Sequence, residues 1–424
     1  MELCHAVLTS LLHGPTLDHW TLPNGVRCVA AEMPEAPLTC LDLWCRAGSF
    51  TEMAGEEGMA HFLEHMVFKG SDRLEAGAFD LAIEALGGSS NAATGFDDVH
   101  FHVLIPPDQS QQALDLLLDL VLHPALEQES FRLEREVVLE EMAQYADQPD
   151  EQVLQQLLKQ GCPDHPYGRP ILGKRSSLLA MEPEAMRTFH QRRYRGQHCC
   201  LAISGPKARA LRATIESSAL AQLPPDQSTS TEPKGFKLQP GRHTLELARL
   251  ESARLLMLWR GSTADDQDWV MGADLATTLL GEGRRSRLVA QLREELRIAE
   301  SVDMDLSVLE QGCLMTLEIS CEPDDLEQVE AAVHEQLEQA ERFSAAELAR
   351  GRQLVGNGLR YSLESVGQVA AQAASQTLWN RPQELLQPLQ HLQAWSEERL
   401  SAELMPLLEP DRACTLIATP AGRH

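Results

Sequence analysis

The sequence predicts an α+β protein of two homologous α/β domains, each a mainly antiparallel sheet flanked by helices, related by a pseudo-two-fold duplication. Three observations carry this. A length of 424 residues exceeds one ordinary core and suits two domains of roughly 200 residues each. At residues 223–243, LPPDQSTSTEPKGFKLQPGRH, periodic apolar residues give way to Pro, Ser, Thr, Gly and Lys, the composition of an exposed linker. Strand-like CLDLWCRAGS (40–49) in the first half is echoed by RLLMLWRGST (254–263) in the second, and Cys45 and Trp259 stand 214 positions apart, in agreement with the linker's place. The expected division is 1–222, a linker at 223–243, and 244–424.

The elements follow in order. GVRCVAAEM (25–33) and the stretch at 40–49 are short and largely apolar and read as strands. GMAHFLEHMVFKG (58–70) is helix-forming and apolar except on one side. VHFHVLIP (99–106) alternates as a strand does, residues 109–122 are helical, and SFRLEREVVLEEMAQY (130–145) is a second, more charged helix. In the second half CLMTLEISC (313–321) reads as a strand and 325–342 as a helix, so strands and helices alternate through both halves.

Composition excludes several roles. Hydrophobic residues make up 43% of the chain, enough for two cores, but no apolar run approaches the ~20 residues that cross a bilayer. The N-terminal MELCHAVLTSLLHG has no Lys or Arg ahead of its apolar run and so fails as a secretory signal. Thirty-six basic against 63 acidic residues give a net charge of −27, which disfavours nucleic acid and anionic membrane surfaces as partners. The ten cysteines have no CxxC spacing and read as reduced thiols in packed interiors, which points to the cytoplasm.

The chemistry is concentrated at 58–70. His61, Glu64 and His65 lie at i, i+3 and i+4, in one narrow sector of the helix, while Met59, Phe62, Leu63, Met66 and Val67 cover the rest. Two imidazoles one turn apart present nitrogens to a single point, as a divalent metal at ~2.0–2.1 Å requires. A catalytic zinc needs a third protein ligand and an open position for water. In the helix at 130–145, Phe131, Glu134, Val137, Val138, Glu141, Met142 and Tyr145 fall on one stripe, whereas Glu136 and Glu140 lie off it. Two carboxylates in an apolar stripe are costly unless each meets a cation or a donor. A metal would satisfy one, and a role in orienting a metal-bound imidazole the other. Glu64, beside the metal, could then take a proton from an activated water and pass it to a leaving amine.

The order H-x-x-E-H is the inverzincin signature, and the chain resembles the pitrilysin and mitochondrial processing peptidase family of zinc metallopeptidases along essentially its whole length. TLPNGVRCVAAEMPEAPLTCLDLWCRAGSFTE is similar to the family's opening strands, EEGMAHFLEHMVFKGS to its metal helix, and GGSSNAATGFDDVHFHV to the strand beside the metal. HPYGRPILG (165–173), YRGQHCCLAISG (194–205) and LLGEGRRSRLVAQLREELRIAESV (279–302) are similar to later landmarks. The resemblance implies a zinc endopeptidase with one Zn2+ per chain, bound by His61, His65 and Glu141, with Glu64 as general base and Glu134 orienting a ligand. Glu141 follows His65 by 76 residues, an interval in keeping with the family. Asn91 and Ala92 match the strand that pairs with an extended peptide by β-augmentation, and Phe68 and Arg293 are expected with them on the substrate side.

One departure shapes the expected assembly. Where members that grip substrate through the second domain carry an Arg and, seven residues on, a Tyr, this chain has Arg293 but Glu300. A carboxylate there would repel a developing oxyanion. The resemblance therefore favours a heterodimer, in which this chain holds zinc and a homologous metal-free subunit supplies the Arg/Tyr pair around a closed chamber, over a homodimer. The other reading is a non-catalytic scaffold or assembly subunit of the same family, in which the metal motif is typically eroded.

Overall fold

The computed structural model describes residues 14–225, 235–338 and 342–422. The N-terminal segment read as lacking a signal lies outside the described residues up to position 13, as does the middle of the expected linker at 226–234.

The first sheet has six strands: β1 (Leu17–Thr21), β2 (Arg27–Glu32), β3 (Thr39–Cys45), β4 (Ser89–Thr94), β5 (Val99–Ile105) and β6 (Cys199–Gly205). Their order is β1-β2-β6-β3-β5-β4. The β2–β6 pair is parallel and the other pairs are antiparallel. The inward residues of β3 and β5, Leu41, Leu43, Phe101 and Val103, pack with three helices: α1 (Met59–Val67), α2 (Ser110–Leu122) and α3 (Gln128–Ala146). Strand alternation aims one set of side chains at these helices and the other at the opposite face.

The second sheet has five strands: β7 (Gly241–Leu247), β8 (Ala253–Arg260), β9 (Ser301–Ser307), β10 (Leu314–Cys321) and β11 (Cys414–Pro420). Its order, β7-β11-β8-β10-β9, repeats β2-β6-β3-β5-β4 strand for strand. The parallel pair recurs in the same place, between β7 and β11. The duplication expected from the 40–49 and 254–263 stretches is thus a duplication of topology, and both stretches are the middle strands of their sheets. Three helices flank this sheet: α4 (Pro149–Gly161), α5 (Gln267–Gly281) and α6 (Leu326–Glu338).

The boundaries differ from the contiguous halves expected at 1–222 and 244–424. One compact unit is Met1–Met142, Pro170–Thr231 and Arg360–Gln387; the other is Ala143–Arg169, Glu232–Leu359 and Pro388–His424. The reason is packing. In α7 (Val366–Leu378), Val369, Ala370, Ala373 and Ala374 form a small apolar stripe that covers Val29, Ala31, Cys40, Cys200 and Ala202 on the outer face of the first sheet. In exchange, α4 belongs to the second unit, where Gly161 lies so close to Leu238, Leu258 and Cys414 that a β-carbon there would stand 2.8 Å from Leu258 Cδ2. The linker is also shorter than expected, since its last three residues open β7.

Candidate metal centre

The helix that carries the motif is held from outside its own sequence. Its N-cap is Gly58, at φ 95°, a conformation an L side chain resists, and no side chain of the cap residue closes the first turn. The Glu52 carboxylate does so instead, accepting from Gly58 N (3.1 Å) and Ala60 N (2.9 Å). Gly173, from the HPYGRPILG stretch, presses against this corner, where a β-carbon would come within 2.3 Å of Gly58 N. Met59, Ala60, Phe62, Leu63, Met66 and Val67 are buried, which leaves the His61, Glu64 and His65 sector as the helix's open side.

The structure brings four of the expected residues together. His61 Nε2 lies 3.7 Å and His65 Nε2 3.4 Å from the same atom, Glu141 Oε2. Tetrahedral ligands held ~2.0–2.1 Å from a zinc ion stand about 3.4 Å apart, so each nitrogen stands from the oxygen near the separation a shared metal would impose. The imidazole rings are 4.7 Å apart at 62°. His65 Nδ1 donates to Glu134 Oε1 at 2.9 Å, and Lys69 Nζ donates to Glu134 Oε2 at 2.8 Å. The Glu134 bond puts the His65 proton on Nδ1 and turns the Nε2 lone pair towards Glu141. His61 Nδ1 is buried without a hydrogen-bond partner.

Burial and neighbouring charges shift the titration of each of these groups. Burial lowers the His61 pKa to about 4, with His65 adding to the effect, so His61 is a neutral imidazole. Burial would lower His65 too, but the Glu134 hydrogen bond and the charges of Glu141, Glu134 and Glu64 outweigh it and raise its pKa. Glu134 is 6% exposed; burial would raise its pKa, yet His65 and Lys69 bring it below the ordinary carboxylate value. Burial raises the Glu64 carboxyl above that value, and the Thr94 hydroxyl, which donates to Oε2, offsets it only in part. A carboxylate poised above its usual pKa suits a proton acceptor working near neutrality.

Other expectations are modified. In α3 the predicted stripe is narrower: Phe131, Glu134 and Val138 are buried, but Val137 and Tyr145 are 49% and 41% exposed. Asn91 and Ala92 lie on β4, the edge strand of the sheet, but point to opposite faces. Ala92 packs on the α1 side, whereas Asn91 pairs across from His102 and accepts from Ala92 N at 2.9 Å. Phe68, the C-cap of α1, packs into the core near Phe79 and Phe101. Arg293, in the second unit, is paired with Glu294 at 3.0 Å, and Glu300 accepts from Ser252 and Ser320, both at 2.8 Å. Glu52, Lys69 and Thr94 escaped the sequence reading. For Thr94 there was a signal, since it shares a strand face with Ala92.

Fold and site together define a metallopeptidase. Residues 27–175 match the family profile described as insulinase (peptidase family M16), and residues 180–355 match the peptidase M16 inactive domain. The chain is 30% identical over 325 residues to an uncharacterised zinc protease of Mycobacterium leprae, covering 75% of this chain and 72% of the relative. It is 26% identical over 412 residues to the uncharacterised zinc protease YmxG of Bacillus subtilis, covering 96% and 99%. Among solved structures, a protease from Helicobacter pylori superposes with a TM-score of 0.87 at 21% identity, over 96% of this chain and 100% of that one. A peptidase M16 inactive domain from Pseudomonas fluorescens gives 0.86 at 20% identity, over 96% and 98%. This chain belongs to the insulinase (M16) family of metalloproteases. No helix among the described residues is long and apolar enough to cross a membrane.

Proposed function

We propose that this chain is the catalytic subunit of a zinc-dependent endopeptidase that cleaves extended peptides or small unfolded proteins within a dimer chamber. The observation that carries the reading is the convergence of His61 Nε2 and His65 Nε2 on Glu141 Oε2, with Glu64 beside them on α1. His61, His65 and Glu141 would hold one Zn2+, which when bound polarises a carbonyl and acidifies water. Glu64 takes the proton of the attacking water and delivers it to the departing amine. Thr94 fixes one oxygen of that carboxylate, leaving the other for the proton. Glu134, held by Lys69, fixes the ring orientation and tautomer of His65. The free edge of β4 offers main-chain groups that can pair with a substrate strand, which would hold a peptide extended alongside α1. Phe68 shapes the wall behind it.

The partner reading rests on Glu300, an ionised carboxylate held by two serines where a hydroxyl donor would serve a developing oxyanion. We infer a homologous metal-free subunit that supplies the missing Arg/Tyr pair, with Arg293 of this chain left to its pairing with Glu294. A cytoplasmic setting fits the nine buried cysteines outside disulfides among the described residues. The test of the catalytic reading is Glu64→Gln. Zinc content equal to wild type with peptide cleavage reduced by at least about 100-fold is the expected result. Cleavage at the wild-type rate would remove Glu64 from the chemistry.

A further inference from the structure

A second set of ligand-type side chains stands on the other face of the same sheet. The β3–β5 register places Asp42 opposite His102 and Trp44 opposite His100. Their neighbours Leu41, Leu43, Phe101 and Val103 fill the core under α1, so alternation sends Asp42, His100 and His102 to the face that α7 covers. His100 and His102, two apart on one strand, present both imidazoles to that side, and Asp42 supplies a carboxylate from the adjacent strand. The three ligand atoms lie within 4.8 Å of one another. Asp42 Oδ1 is 3.0 Å from His100 Nδ1, and the two imidazole rings are 5.6 Å apart and nearly parallel, at 19°.

As a purely hydrogen-bonded cluster this arrangement leaves one ring nitrogen unsatisfied. Asp42 is 2% exposed and, as a buried carboxylate requires, has a donor in His100 Nδ1. His102 Nδ1 is buried with no hydrogen-bond partner. The His100 side chain retains 21% of its exposure, which leaves a path for an ion and for water to complete its shell.

We propose that Asp42, His100 and His102 form a second divalent-metal site, separate from His61, His65 and Glu141, that takes Zn2+ or Co2+ through two imidazole nitrogens and one carboxylate oxygen. Two imidazoles and one carboxylate are a donor set these ions accept. The ion would tie β3 to β5, the strand on which the β4 edge depends. The inference goes beyond the proposed function and stands without it.

The test is a Co2+ titration of the full chain stripped of metal, followed by visible absorption and by bound-metal content. Wild type is expected to take two equivalents, a His61→Ala/His65→Ala double variant one, and that double variant with His102→Gln none. A double variant that binds no Co2+, or whose single equivalent survives His102→Gln, overturns the proposal. A second readout needs no change at the new site. In the double variant, Co2+ should quench the fluorescence of Trp44, whose ring is 4.5 Å from His100, and the quenching should vanish in Trp44→Phe. Quenching unchanged by that substitution counts against the site. Failure of the catalytic reading would appear in Glu64→Gln and would leave these outcomes untouched.

Discussion

At the scale of single residues, the proposed centre would depend on a chain of orientation, Lys69 to Glu134 to His65, as much as on its ligands. Glu134 is buried and accepts from both neighbours. Replacing its carboxylate with an amide keeps the size but removes the charge that would make His65 a good ligand in the proposed centre. Glu134→Gln should therefore lower zinc affinity by roughly 10–100-fold, read by competition against a chromogenic chelator, while the fold is kept. Lys69→Met should cost less, because its side chain is 36% exposed and water can replace it. Equal affinity in wild type and Glu134→Gln would show that the imidazole needs no such support.

At the scale of elements, the corner where α1 begins sets where His61 and His65 point. Gly58 sits at φ 95°, and a β-carbon would meet Leu172 O at 2.6 Å. Gly58→Ala should destabilise the protein by more than about 1 kcal/mol, seen as a lower denaturation midpoint, and should weaken zinc binding with it. The same corner is tied by Glu57, whose carboxylate accepts from Ser177 Oγ (2.7 Å) and Lys174 Nζ (3.1 Å). The Ser177 hydrogen bond, against some burial, and Lys174 bring its pKa from 4.5 down to about 2. A depressed folded-state pKa stabilises the protein above the unfolded value and loses that contribution as pH falls through the folded one. The stability gap between wild type and Glu57→Gln should thus be constant above about pH 5 and shrink from pH 4.5 towards 2. A gap independent of pH would mean that the carboxylate's charge is not what holds the corner.

Elements also mark what the sequence made legible. The site on α1 could be read because a 3.6-residue period leaves three polar groups nowhere to go but one side of an apolar helix. The equivalent strands β3 and β8 were legible from their apolar runs and from their recurrence 214 positions apart. The width of the α3 stripe was not, because Val137 and Tyr145 fit the period while tertiary packing leaves them exposed. The direction of Asn91 depends on the register of β4 against β5, and a shift of one residue would reverse it. The assignment of α7 to the first sheet was out of reach too, since its stripe of alanines states that it packs but not against which strands.

At the scale of the whole molecule, one topology is used twice and given ligands once. In the first sheet β4 is the edge strand beside α1, and in the second β9 holds the equivalent edge. The second unit brings to that edge no metal motif but Glu300, just before β9, held as an anion by Ser252 and Ser320. A hydrogen-bond donor to the oxyanion is worth roughly 10²–10³ in kcat, so a chain that lacks it and carries a charge of the wrong sign should be slow alone. Purified zinc-loaded chain is expected to cleave fluorogenic peptides weakly, and to gain at least about 10-fold in kcat on titration with a metal-free homologue of this family carrying the Arg/Tyr pair. The gain should saturate at one partner per chain and should be absent with Glu64→Gln. Full activity of the isolated chain, unchanged by any such homologue, would mean that Glu300 replaces no needed donor and that the chamber is completed by this chain's own second copy.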